Sequence, residues 1–393
     1  MRSMIKTVAR TRVARRLTVV PAVVLTALAA GCGTAAPGTA TSGRPTASLP
    51  LGTSVSASGA TWAVLPMGVP KDSNIFWQLF VLPAGGTKWS LVTPPGVATN
   101  GAIAVSVTGA RSLAAGVRPS QLLRFSPVTT TANGGKSWQA GSPDPGLAHV
   151  PDALAAAPGQ LLALDRDGRV VLGRTSWSRL TSLHGLAATP AARSCRPSAL
   201  TAVAYGPTGA PVLAASCARR GVAGIFTEQG GQWHAAGPAL PASFAGQPVE
   251  VLRLVRTGMR LTALLQAGSG AGARRVMAWQ AADGRWTVSA GVPGSGAVRS
   301  SSFGADGAAV VELSGRRAEY VAGAGAAWQA LPRLPRGRAV TLALPAGGGV
   351  DALAADGSVL TAWRLRASGS VLGAGQWEQT QTTKVPIQYG SSS

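Results

Sequence analysis

Seven tryptophans recur through this chain, each just after a short turn of small or polar residues: Trp89, Trp138, Trp177, Trp233, Trp286, Trp328 and Trp377. Successive spacings are 49, 39, 56, 53, 42 and 49 residues, a mean of 48. A period of this size, built on short runs separated by Gly, Pro, Asp and Ser, is the signature of a β-propeller with one four-stranded blade per repeat. A lone blade leaves both faces uncovered, so its neighbours must stack on it and the ring must close. The expected fold is therefore all-β, a seven-bladed propeller of antiparallel four-stranded blades.

The third repeat shows the unit most plainly. Runs at 152–157, 161–165 and 169–173 are separated by Pro158-Gly159 and Arg166-Asp167-Gly168, and a fourth run opens at Trp177. That is the pattern of an antiparallel meander. Early strands such as Ala102 to Val107 and Leu200 to Ala204 are rich in small and β-branched residues, which suit the crowded inner positions. The tryptophan opening the outer strand can cover apolar surface between blades. The first repeat looks one strand short, and the run 384–389 is strand-like, so the tail is expected to pair beside the first blade and latch the ring.

The first 31 residues lie outside this pattern. A basic segment with six Lys or Arg precedes the apolar run Leu17 to Leu28, which is too short for a permanent span and has signal-peptide proportions. Leu28-Ala29-Ala30-Gly31-Cys32 resembles the lipobox of bacterial lipoproteins. The resemblance implies cleavage after Gly31 and lipidation of Cys32; the alternative is an ordinary signal peptide with an incidental cysteine. Arg15-Arg16 leaves twin-arginine export open beside the general route. Residues 33–50 are mostly Gly, Ala, Thr, Ser and Pro with one charge, Arg44, and read as a flexible tether. The expected organisation is a signal peptide over 1–31, a lipidated tether over 32–50 and the propeller over 51–393. Localisation would be the outer face of the cytoplasmic membrane.

With Cys32 assigned to lipid, Cys195 and Cys217 remain, 22 residues apart in one repeat. In an exported chain the pair is expected to be bridged, closing a loop worth about 3 kcal/mol of unfolded-state entropy; two buried free thiols are the alternative. No metal and no cofactor are expected, since His149, His184 and His234 have no ligand-like spacing. Net charge is +22, or +16 without the signal peptide. This balance favours anionic neighbours such as lipid headgroups or envelope polyanions. Nucleic acid is not an expected partner, because the charges are scattered and export removes it. The arginine, alanine and glycine bias looks like that of a high-GC actinobacterial genome.

Thr131-Ala132-Asn133-Gly134-Gly135-Lys136-Ser137-Trp138 resembles the Asp-box, or BNR repeat, of sialidase-like propellers. The resemblance implies a structural turn between the third and fourth strands of a blade. Thr131, Asn133, Gly135 and Trp138 would be its key positions, with Asn133 in place of the acid. Catalysis is not carried over. Tyr205, Tyr320 and Tyr389 are the only tyrosines, and Glu319-Tyr320 would point to opposite faces of a strand rather than pair as base and nucleophile. No Gly-x-Ser-x-Gly elbow is present. Asp165 and Asp167 flank a hairpin turn and read as turn residues. The expected function is that of a monomeric, non-catalytic surface module that binds a protein or an envelope glycan through the loops at one mouth of the ring. The alternative is a glycan-processing enzyme, which needs two carboxylates converging near the axis, about 5 to 10 Å apart.

Overall fold

The computed structural model describes residues 52–56, 59–69, 74–95, 103–117, 128–140, 147, 151–165, 167–257, 259–293, 298–315, 317–337, 339–368 and 371–386. Cys32 and the signal and tether segments lie outside the described residues. Residues 42–393 form one compact unit by themselves.

Seven antiparallel four-stranded meanders follow one another along the chain. Blade 1 holds Gly52–Ser56, Ala60–Val69, Asn74–Pro83 and Ser90–Leu91, and blade 2 holds Ile103–Gly109, Ser112–Val117, Val128–Thr131 and Gln139–Ala140. Blade 3 is Ala153–Ala157, Gln160–Leu164, Arg169–Gly173 and Trp177–Ser182; blade 4 is Pro197–Tyr205, Pro211–Cys217, Gly224–Gln229 and Gln232–Ala235. Blade 5 comprises Val249–Thr257, Arg260–Ala267, Arg274–Gln280 and Trp286–Val288, with Val292–Pro293 as an extra short strand. Blade 6 comprises Val298–Phe303, Ala309–Leu313, Arg317–Val321 and Gln329–Ala330. Blade 7 ends the ring with Ala339–Ala343, Val350–Asp356, Val359–Ser368 and Val371–Lys384. The chain is thus a seven-bladed β-propeller.

The core is divided in a way that explains the tryptophan period. Among the described residues there are seven apolar clusters, one for each interface between consecutive blades, and each contains one periodic tryptophan. Trp286, for example, packs among Ile225, Phe244 and Val276 between blades 4 and 5. At four of the seven interfaces the indole N–H then reaches back to the preceding blade, while Trp177 Nε1 is buried without a partner among the described residues. Trp138 donates to the Val92 carbonyl (3.0 Å), Trp286 to Ala236 (2.7 Å) and Trp377 to Pro332 (3.4 Å), while Trp328 donates to Ser289 Oγ (3.1 Å). One side chain therefore fills the wedge between two blades and satisfies its polar edge on the neighbour, as a buried indole requires.

Ring closure departs from the sequence-based expectation. Blade 1 has four strands of its own, and the tail does not pair beside it within the described residues. Val371–Lys384 is instead the outer strand of blade 7, with Lys384 opposite Val359. Gln381 clasps Trp89 by both main-chain groups, accepting from its N–H (2.8 Å) and donating to its carbonyl (3.0 Å). Val385 then buries its side chain against Ala63, Leu65 and Met67 of blade 1. The outer strand is long enough to close the ring, so a separate latch is redundant.

The inner wall is also irregular. The first strands of blades 1 and 6 pair directly and in parallel, Gly52 with Ser300 through Val55 with Phe303. The first strand of blade 7 sits behind them: Ser56 Oγ and Ser302 Oγ donate to the Leu344 and Leu342 carbonyls, and Thr341 Oγ1 donates to Val64 O at 3.0 Å. Serines at these places let two strands close over a third.

The closing interface holds a bidentate ion pair whose carboxylate is buried. Asp351, with 4% of its side chain exposed, accepts from Arg364 Nε (2.8 Å) and Nη2 (3.0 Å), and its Oδ2 also accepts from Trp89 Nε1 (3.2 Å). Removing the carboxylate strands two donors at the junction of last and first blades. We expect Asp351→Ala to cost about 3 kcal/mol in urea denaturation, the scale for breaking a buried pair. Asp351→Asn, which keeps an acceptor, should cost less.

Candidate functional site

Because the strands of each blade alternate in direction, first-strand starts, second-to-third turns and fourth-strand ends share one face of the ring. The first-to-second and third-to-fourth turns share the other. Among the described residues, two long connections on the first face are folded rather than open. Between blades 3 and 4, a short helix at Leu183–Ala187, capped by Ser182 Oγ accepting from Gly185 N–H at 3.1 Å, leads into a 3-10 segment at Pro190–Ser194. Leu186 is fully buried beneath it, and Phe244 plays the same part in the 3-10 turn Ala242–Phe244 between blades 4 and 5.

Cys195 and Cys217 are joined on this face, with Cα atoms 4.8 Å apart. The bridge ties the connection 183–196 to the end of the second strand, where Pro197 is already opposite Cys217 in register. Its sulfurs press against Gly224. A Cβ there would lie 2.7 Å and 2.9 Å from the two sulfurs, so only glycine fits.

The opposite face carries the turn at 131–138. Thr131 Oγ1 accepts from the N–H of Gly135 (3.0 Å) and of Asn133 (3.4 Å), and Asn133 Oδ1 accepts from Ser137 N–H (3.0 Å). Asn133 thereby makes through an amide oxygen the contact a carboxylate would make. Gly135 has φ +83°, and a Cβ would fall 2.5 Å from Val92 of blade 1, so both backbone and space demand glycine. Trp138 bonds that same Val92. The turn is thus part of the interface between blades 1 and 2.

A channel of about 470 Å³ runs along the axis. It is lined by first-strand residues of blades 1 to 6, and by no described residue of blade 7, consistent with that blade's withdrawn first strand. In blades 2 and 3 it follows the whole first strand. In blades 4, 5 and 6 it touches chiefly the later part, Thr201 to Tyr205, Leu252 to Thr257, Phe303 and Ala305, so it lies toward the mouth formed by the first-to-second turns. Most of the lining is Ala, Val, Leu, Ser and Thr. The charged residues among it are Asp152, Arg253 and Arg256. A hydrolytic pair needs a second carboxylate, and none of the residues lining the channel supplies it.

Burial pushes Arg253 down to about 10, still protonated at neutral pH, and pushes the Tyr205 hydroxyl up. Neither residue had been singled out as a site from sequence. The available signal was the run Val251 to Arg256, where arginines interrupt an apolar strand expected to face the ring axis.

More charge lies inside the wall. Arg275 of blade 5 is fully buried, and desolvation lowers it while Glu319 of blade 6 pulls it back up. Burial raises Glu319, opposed by Arg275 and Arg317. On the far side of blade 6, Glu312 accepts from Ser300 Oγ at 2.9 Å. Desolvation raises it from 4.5 to about 7, against the pull of that hydrogen bond and of Arg299. Among the described residues, no group of three His, Cys, Asp or Glu is arranged to hold a metal ion, and no helix is long and apolar enough to cross a membrane.

No protein-family model matches the sequence, and no curated protein matches it. Solved structures similar to this one include YCF48 from Cyanidioschyzon merolae, at 14% identity and a TM-score of 0.44, covering 82% of this chain and 94% of that one. A streptogramin B lyase is similar at 9% identity and a TM-score of 0.46, covering 76% and 89%. Hsv2 of Kluyveromyces lactis is similar at 9% identity and a TM-score of 0.45, covering 85% and 98%. Likeness this distant carries no argument about ligand or activity.

Glu312 makes a pH-dependent contribution whose sign is fixed by its raised value. The fold favours the protonated carboxyl, so this stability is full below about pH 4.5 and is lost as pH rises through about 7. We expect Glu312→Gln to leave stability at pH 4 nearly unchanged and to raise it at pH 8 by about 2–3 kcal/mol, read from urea midpoints at both pH values.

Proposed function

We propose that this chain is an extracytoplasmic lipoprotein of the BNR-repeat type, held at the membrane by lipid on Cys32, whose propeller is a non-catalytic binding module. Its ligand is a protein segment or an envelope glycan received at the channel mouth formed by the first-to-second turns. The observation that carries the reading is the channel itself. Its volume lies in the range of ligand pockets, about 300–1,000 Å³. Its lining is apolar with a few polar groups, and its charged residues are one carboxylate, Asp152, and two arginines, Arg253 and Arg256. That inventory supports recognition better than glycoside hydrolysis, which uses a pair of carboxylates. The opposite face carries the folded connections and the start of the first strand at Gly52.

Two measurements test this. A photo-crosslinking residue at Ser106 or Thr257, in intact cells, should give a discrete adduct that is lost on adding Arg256→Glu. Adducts of equal yield from a probe at Lys88, on the blade rim, would count against the channel. For the anchor, Cys32→Ala should move the protein out of the detergent phase in a partition assay; unchanged partitioning contradicts lipidation. Turnover of any member of a chromogenic glycoside panel would overturn the non-catalytic reading.

A further inference from the structure

From Gly168 to Thr227 the sequence contains seven arginines and no aspartate or glutamate. The fold gathers the central members of this acid-free stretch on one face. Arg193 and Arg196 lie in the connection between blades 3 and 4, and Arg219 and Arg220 lie in the second-to-third turn of blade 4. Ala218 N–H donates to Arg196 O (3.0 Å) and Arg219 N–H to Cys195 O (3.1 Å), so the disulfide and two main-chain bonds zip these loops together. Gly221 N–H donates to Gln247 O (2.8 Å), and Arg220 Nη1 to Gly246 O (3.1 Å), which joins the connection between blades 4 and 5 to the same surface. Arg274 opens the third strand of blade 5 at this face. All five arginines are exposed, and among the described residues none of the five makes an ion pair.

Arg196 adds an independent sign. Its φ is +53°, and it is the non-glycine residue with positive φ among those described. A side chain in that region costs backbone energy that glycine would avoid, which is how residues kept for their side chains show themselves. The position retains a guanidinium at the centre of a basic patch.

First-strand starts belong to this face, so the chain reaches blade 1 here, at Gly52. Between Gly52 and Cys32 lie 19 residues. A random coil of that many residues would have a root-mean-square span of about 25 Å.

We propose that the Arg193, Arg196, Arg219, Arg220 and Arg274 face is a docking surface for an anionic lipid bilayer, which orients the ring with its channel mouth outward. The inference rests on the lipid-anchor reading for its choice of partner, though the surface itself belongs to the propeller. Exposed arginines beside an anionic leaflet each strengthen binding by about fivefold, and the attraction decays over a Debye length of about 8 Å at physiological salt.

The test uses residues 42–393, which form a compact unit by themselves and carry no Cys32. Vesicles of phosphatidylcholine with about 30% phosphatidylglycerol, which carry a negative surface potential, should retain the protein in flotation, and pure phosphatidylcholine should not. Raising salt to about 0.5 M should release it. The variant R193E/R196E/R219E/R220E should bind at least about 100-fold more weakly, while R260E/R285E on the opposite face should bind as the parent does. Arg196→Gly supplies the folded control: its melting temperature should be equal or higher, and its vesicle affinity about fivefold lower. Equal losses from both faces, retention of a soluble polyanion such as heparin without retention by anionic vesicles, or undiminished binding by Arg196→Gly and the quadruple variant would overturn the proposal. Vesicle binding by this domain together with unchanged partitioning of Cys32→Ala would leave the docking surface standing and the anchor refuted; the converse result would do the reverse.

Discussion

The ring depends on one repeated contact, an outer-strand indole that fills the wedge between two blades and, at four of the seven interfaces, donates its N–H to the earlier one. Wedge-shaped gaps are the inherent difficulty of arranging flat twisted sheets about an axis. They widen outward, so a large rigid side chain is needed at the rim, whereas Ala, Ser and Val suffice inside. The indole also brings a donor that must be satisfied, and the carbonyl or hydroxyl one blade back satisfies it at Trp138, Trp286, Trp328 and Trp377. At the last interface, where no earlier blade exists in the sequence, Asp351 takes that role and requires Arg364 to neutralise it. The closing seam is thus the place where a neutral contact is replaced by a charged one.

This division of labour explains what was legible in the sequence. Tryptophan spacing carries the blade count because each interface needs one such residue, and the glycines and aspartates of turns mark strand ends because those turns need their backbone freedom or their acceptors. Asp165 Oδ1, for instance, accepts from the N–H groups of Asp167 and Arg169, at 2.9 Å and 2.8 Å. The proximity of Cys195 and Cys217 follows from the same local register, since they flank one hairpin. Closure was not legible in the same way. Pairing between Gly52–Ser56 and Val298–Phe303 joins segments far apart in sequence, and only the serines at 56 and 300–302 hint that two strands cover a third.

The site was harder to read for a related reason. A channel lined by first strands is composed of the same small residues that let those strands converge, so its composition reflects packing before recognition. What distinguishes it is the intrusion of Arg253 and Arg256 into an otherwise apolar strand, and charge at such a position is visible only once the strand is known to be innermost. The arginine face is the opposite case. An acid-free run of sixty residues, from 168 to 227, is plain in the sequence, but its meaning needs the disulfide and loop hydrogen bonds that place its members together.

Native-state hydrogen exchange of the indole N–H groups tests the account of the ring most directly. If each indole staples two blades within one cooperative unit, the Nε1 protons of Trp89, Trp138, Trp286, Trp328 and Trp377 should exchange with a common free energy close to that of global unfolding. Exchange of several of them at the rate of a solvent-exposed indole, while strand amides stay protected, would show that the blades are held together by something else.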